Sequence, residues 1–175
     1  MQTFMQQTDS FERIAAELDN KRLHKQTLEG WQCLLALTKL NPAGEFRDPK
    51  GWVNHPVAHM WRGHEAVLVS YLAATYFEWR KRGYKSTMLG KIYGTFDIAV
   101  ERELISPELT FPSWMADKDK FEQVAATHRV SLLRKDYSWY SQFGWAEDPG
   151  HRPPHYQYLW PDVNGNLYLG TFNNL

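Results

Sequence analysis

The segment LDNKRLHKQTLEGWQ holds the residues whose types and spacing suit chemistry. At about 100° per residue, Arg22, Lys25, Gln26 and Glu29 fall within roughly a 100° sector of one helix, opposite Leu23, Thr27, Trp31 and Leu34. One face therefore carries a carboxylate, Glu29, ringed by two cations and an amide. The same pattern also suits a plain solvated face on which Lys25 and Glu29 pair along the helix, worth a few tenths of a kcal/mol. A second cluster, NHPVAHMWRGHE, contains His55, His59 and His64. His55 and His59 have a spacing that can put two imidazoles on one metal, but no third ligand of zincin type follows and no Glu succeeds the first His. The reading is no metal, with His59 and His64 as packing histidines and His55 facing whatever lies at a helix N-terminus. A third cluster, THRVSLLRKD, sets Arg129, Arg134 and Lys135 beside His128, as a basic patch or as a solvated helix face. There is no phosphate-cradling Gly-rich loop, no GxSxG and no recognisable Cys/His pair, and Cys33 reads as a core residue.

The elements that must position these groups are mostly helical. Phe11, Ile14, Ala15 and Leu18 recur at helical spacing, with Asp9 and Glu12 spaced as an N-cap and its reciprocal partner. Asp19 offers a second cap, opening a helix that runs to about Leu40. The Pro, Gly and Asp content of residues Asn41 to Asn54 predicts a loop. Asn54 with Pro56 then reads as cap and first-turn proline of the longest helix, which stops at Gly83. Lys85 to about Glu103 suggests one or two shorter helices interrupted at Gly90 and Gly94, and Ser106 to Ala116 a loop. Asp117 caps a further helix with Phe121, Val124, Ala125, His128, Leu132 and Lys135 on one side. An aromatic turn, DYSWYSQFGW, follows, and the string YQYLWPDVNGNLYLGTF predicts a small hairpin turning near Asn164 and Gly165. The fold class is mainly α, one compact domain over residues 1–175, with a small C-terminal β appendix.

Composition limits the function classes. Lys+Arg 20 against Asp+Glu 20 gives no net charge, so contact with phosphates must rest on a local basic face rather than on the protein's overall field. Aromatic residues are 15% of the chain, enough to fill a core or to stack a flat ring. One cysteine excludes an intramolecular disulfide framework. No apolar run approaches the length of a membrane span, and MQTFMQQTDS lacks the basic and apolar regions of a signal peptide, which predicts a soluble, cytoplasmic protein.

The strings MQTF, LDNKRLHKQTLE, NHPVAHMWRGHE, EWRKRGY, HRVSLLRKD with WY close behind, and YLWP occur in that order over nearly the whole chain. Together they resemble the pyrimidine-dimer DNA glycosylase family, the endonuclease V-like repair enzymes best known from bacteriophage, and especially its bacterial branch of small proteins beginning MQTF. The resemblance implies a compact helical fold whose N-terminal segment lies against the helices, with its α-amine at the active site. In the phage enzymes that amine attacks the deoxyribose C1′, displaces the base and leaves an imine that permits strand cleavage. Matching the Leu of LDNKRL to its counterpart puts the family's catalytic glutamate on Glu29. Arg22, Lys25, Gln26, His55, Arg129 and Lys135 would then surround an extruded nucleotide and its phosphates. Cleaving an N-glycosidic bond builds oxocarbenium character, which an anion beneath the sugar stabilises.

The departures from the phage pattern fall at the N-terminus and on the same helix. Gln2 is large where the phage enzymes have a small residue that permits removal of the initiator methionine, so the nucleophile is expected at Met1, with Gln2 beside it. Leu28 and Gln32 stand where the phage pattern has arginine. The expected function is a DNA N-glycosylase releasing a damaged or modified base, with or without an associated lyase step, needing no cofactor or metal, with DNA as partner and no membrane or protein partner. The rivals are an N-glycosidase acting on free nucleosides or nucleotides, which zero net charge suits, and a non-catalytic binding or inhibitor protein on the same fold.

Overall fold

The centre of the protein is a close crossing of two long helices, α2 (Asn20–Thr38) and α4 (Glu65–Lys81). Gly30 permits it: a Cβ at that position would stand 2.2 Å from Leu72 Cδ2, well inside van der Waals contact. The structure, a computed structural model, describes residues 2–49 and 51–170. Helix α1 (Phe11–Glu17) lies on α4, and α5 (Met88–Glu101) packs against both α2 and α4. The short helix α3 (Pro56–Trp61) joins α2 to the C-terminal layer. That layer comprises α6 (Ser113–Ala116), α7 (Lys118–Lys135) and α8 (Tyr137–Tyr140), followed by a 3-10 turn over Ser141–Phe143. Strands β1 (Leu159–Pro161) and β2 (Leu167–Leu169) pair antiparallel in the register Leu159 to Leu169, turning through Gly165 at φ 75. The mainly helical fold with a C-terminal β appendix is therefore as the sequence predicts. Residues 171 and 172 of the hairpin string lie outside the described residues.

Caps explain most boundaries, and two of them differ from the expected residues. Asp19 caps α2 by accepting from Lys21 N and Arg22 N, and Asp117 caps α7 in the same way. At α1 the cap is Ser10, whose Oγ accepts from Arg13 N at 3.0 Å, while Asp9 pairs with the Arg13 guanidinium instead. At α3 the cap is His55 rather than Asn54, with Nδ1 accepting from Val57 N at 3.1 Å. The single long helix expected from Pro56 to Gly83 is two helices, because Arg62 is extended and Gly63 takes φ 80. The Glu65 carboxylate accepts from Gly63 N and holds the break. Gly90 and Gly94 interrupt nothing; both lie inside α5, where a glycine costs about 1 kcal/mol without ending a helix that tertiary packing supports. The C-terminal carbonyls of α1 are capped from a distance, with Arg82 donating to the carbonyls of Ala15, Ala16 and Leu18.

The buried apolar residues, from Phe4 to Trp160, form one cluster in which Trp61, Trp114, Tyr71 and Tyr140 are the largest enclosed side chains. Nine of the aromatic residues are buried in this core and seven more pack against it. Among the described residues no helix is long and apolar enough to cross a membrane.

Candidate active site

Residues 2–6 are all buried, yet they belong to no sheet. Their backbone and side-chain polar groups must therefore be satisfied by side chains from elsewhere. Helix α2 supplies two acceptors: Glu29 Oε2 takes the Gln2 N–H at 3.4 Å, and Gln26 Oε1 takes the Phe4 N–H at 2.9 Å. Tyr71 of α4 donates its hydroxyl to the same Gln26 oxygen at 2.5 Å. Trp61 of α3 donates to Thr3 Oγ1 at 2.9 Å. Helix α7 closes the other side, His128 Nδ1 accepting from Met5 N at 2.7 Å and Arg129 donating to Gln6 O at 3.0 Å. Of the expected fold-back of MQTF over the helix, the described part, Gln2–Phe4, is present, in an irregular segment sutured between four helices rather than as a strand.

At the head of this segment stands Glu29, half-buried, on the exposed edge of α2. Lys25 is exposed nearby and does not pair with Glu29 or with any other carboxylate among the described residues. His55 sits at the start of α3 between the rings of Trp52 and Trp160, at centroid distances of 5.3 and 5.9 Å. Burial pushes its imidazole down to about 4, so the ring is neutral at pH 7. Because Nδ1 accepts the Val57 N–H, the ring proton is on Nε2.

The structure does not gather the rest of the expected constellation. Gln26 is 1% exposed and lies inside, its oxygen engaged by Phe4 and Tyr71, so it is not on the solvated face. Arg129 is buried, its guanidinium bonded to Glu147 through two N–H groups, to Glu122 and to Gln6 O. That set of acceptors leaves it no free fork for a phosphate. Arg22 bonds Asp19 Oδ2 at 3.2 Å and the Lys135 carbonyl at 3.1 Å, tying the start of α2 to the end of α7. Lys135 Nζ lies 3.0 Å from the Tyr156 hydroxyl and 4.9 Å from that ring's centre. Met1 lies outside the described residues. His59 and His64 do not join His55, and His64 Nδ1 instead meets the Thr110 carbonyl at 2.7 Å. Among the described residues no group of three or more His, Cys, Asp or Glu is placed to hold one ion.

Sequence reasoning missed His128, Tyr71 and Thr3. Each reads as core by position on its helix or segment, and nothing local reveals that its polar atom meets a partner more than forty residues away.

A carboxylate at the solvent edge, beside a buried segment held by side chains, can stabilise positive charge developing on a sugar. The family model of the pyrimidine dimer DNA glycosylases matches residues 1–91, which is 91 of the 175 residues. The chain belongs to that family. No curated protein and no solved structure matches it. The family match contains the N-terminal segment, α2, α3 and α4, and so every acceptor on the Glu29 side of the segment. It ends before α7, which supplies His128 and Arg129.

Proposed function

We propose that the protein is a DNA N-glycosylase that releases a pyrimidine dimer or a similarly damaged base, with Glu29 as the essential carboxylate and the amine ahead of Gln2 as nucleophile. The observation that carries this reading is the Gln2 N–H donated to Glu29 Oε2 at 3.4 Å. Covalent geometry keeps the nitrogen of the preceding residue within about 4 Å of Gln2 N. An α-amine is also the best available amine near neutrality, with a reference pKa of about 7.7 to 8.0 against about 10.4 for lysine. Its lone pair attacks C1′ of the damaged nucleotide, and the C1′–N bond breaks with its electron pair leaving on the base, which takes up a proton. The attacking nitrogen gives up its two protons, one to the departing base and one to O4′, as the C1′–O4′ bond breaks and the C1′=N imine forms. Loss of a proton from C2′ then expels the 3′ phosphate, which is the lyase step. Glu29 stabilises the oxocarbenium character as the base departs.

The test is base release from a duplex bearing one cyclobutane dimer, run with and without borohydride, on the wild type and on Glu29→Gln. The expected result is a reduced covalent adduct at the chain's α-amine, blocked by an uncleaved N-terminal tag, and a folded Glu29→Gln variant without base release. Wild-type turnover in Glu29→Gln overturns the reading. An adduct on Lys21 or Lys25 moves the nucleophile to a side chain, and release with neither adduct nor tag sensitivity gives the role to a water activated by Glu29. The zero net charge favours one rival, an N-glycosidase on free nucleosides or nucleotides. Release from a nucleoside but not from the duplex would decide for it.

A further inference from the structure

His128 is fully buried in the middle of α7, and both of its ring nitrogens face the N-terminal segment. Nδ1 accepts the Met5 N–H at 2.7 Å, and a backbone amide can only donate. Burial drives the imidazole down to about 3, with the Arg129 charge acting the same way, so the ring is neutral. Its one proton is therefore on Nε2, which lies 3.0 Å from the amide nitrogen of Gln2. Two N–H groups cannot satisfy one another, so the bond requires the carboxamide turned end for end, which brings Oε1 to the ring and leaves the outline of the side chain unchanged. Oε1 is buried without a hydrogen-bond partner among the described residues, so the turn costs it no bond, and the Tyr158 hydroxyl stays beside the carboxamide. The rings of Phe4 and Tyr158 meet the imidazole edge-on at 6.1 and 5.2 Å and prevent it from turning.

We propose that His128 is a positioning residue: in a single tautomer it bonds the Gln2 side chain and the Met5 backbone, and so sets where the head of the segment meets Glu29. Its effect on rate rests on the glycosylase reading, while its bonding does not. Gln2 is thus held from two directions, its N–H by Glu29 and its side chain by His128, with the Tyr158 hydroxyl bonded to the same carboxamide. Cutting the second tie lets the chain head move relative to the carboxylate without touching either reacting group.

Two measurements test this. The first needs no substrate: nitrogen-15 spectra of the histidines in the free protein should show one ring, that of His128, with its proton on Nε2 and protected from water, and the protection should vanish in Gln2→Ala. A proton on Nδ1, or a ring proton in free exchange, overturns the proposal. The second is single-turnover base release. His128→Asn keeps an acceptor near the Nδ1 position for Met5 and loses the donor to Gln2. Its rate should fall by about 100-fold while affinity for the dimer duplex stays within about twofold, the signature of lost register rather than lost binding. His128→Gln reaches the Nε2 position and should recover part of that loss. In a Gln2→Ala background, His128→Asn should cost almost nothing further, because the tie is already cut. A wild-type rate in His128→Asn, or losses that multiply, refute the role. If His128→Asn does not fold, Gln2→Ala alone carries the rate test. If the wild type releases no base from any duplex, the glycosylase reading fails and the nitrogen spectra still decide the bond.

Discussion

Replacing Gln26 by Leu tests whether the buried segment is held by side-chain acceptors. The two side chains are close in volume, so the change opens little cavity and leaves mainly the loss of one carbonyl oxygen. That oxygen serves two donors, the Phe4 N–H and the Tyr71 hydroxyl, and neither can reach water because Phe4 is 4% exposed and Tyr71 0%. Tyr71 cannot escape by ionising, since burial raises its phenol well above the ordinary value. An unsatisfied buried donor costs about 1–3 kcal/mol, so the pair should cost about 2–6 kcal/mol. With about 2–4 °C of Tm per kcal/mol at this chain length, a central value of about 4 kcal/mol lowers the Tm by about 8–16 °C. Denaturant unfolding should give the same loss at an unchanged slope, and the Phe4 amide should exchange faster in hydrogen-exchange measurements. Tyr71→Phe removes one donor and leaves Gln26 bonded to Phe4, so it should cost about 1 kcal/mol, and Gln26→Leu should cost less in its presence. A Tm within about 2 °C of wild type, below the shift that one unsatisfied donor produces, would refute the suture.

Two further substitutions or conditions have definite outcomes. Arg129→Met leaves the Glu147 carboxylate without its paired N–H donors and the Gln6 carbonyl without its donor, and should cost about 3 kcal/mol in denaturant melts while DNA affinity is unchanged. A DNA affinity lost without a stability loss would restore Arg129 to a phosphate. His128 binds a proton in the unfolded chain below its ordinary 6.5 but in the native state only below about 3, so the unfolded state holds more protons across that window and stability falls as pH falls. Between pH 6.5 and 4.5 the slope should approach 1.4 kcal/mol per pH unit from His128, with a smaller addition from half-buried His55, and His128→Asn should remove the larger part. A flat stability profile over that range would contradict a neutral buried ring.

Helices α2 and α7 are legible because an Asp cap precedes an apolar repeat in each, and the physics of both signals is local. The division of α3 from α4 is not. The apolar spacing continues from Trp61 into Val67 and Leu68 on the far side of the break, while the break itself depends on Gly63 taking positive φ and on Glu65 reaching back to its N–H. Gly90 and Gly94 carry the opposite lesson, since α5 is held by its packing on α2 and α4 and tolerates both. At the site, the place of Glu29 on a polar helix face was legible from its spacing, and the structure leaves it half-buried there. Gln26 was not, because a helical wheel sorts residues by polarity, and a buried amide is told from a solvated one only by its partners in the N-terminal segment and α4.

The same sorting of buried from free polar groups bears on how a neutral chain could hold DNA. Of the basic residues in the α2 and α7 clusters, Arg22 and Arg129 are bonded within the fold and Lys135 meets Tyr156. On the Glu29 side of α2, Lys21 and Lys25 are the exposed cations, and neither pairs with a carboxylate among the described residues. A phosphate contact through either should therefore appear as released counterion, each contributing about 0.9 to the slope of log affinity against log salt. Lys25→Ala should flatten that slope by about one and weaken every duplex alike, whether or not it carries a lesion. Arg22→Ala should leave the slope unchanged while lowering stability, because its guanidinium holds Asp19 and the Lys135 carbonyl. The inverse pattern, a slope that responds to Arg22 and ignores Lys25, would mean that binding DNA pulls Arg22 out of its bonds between α2 and α7.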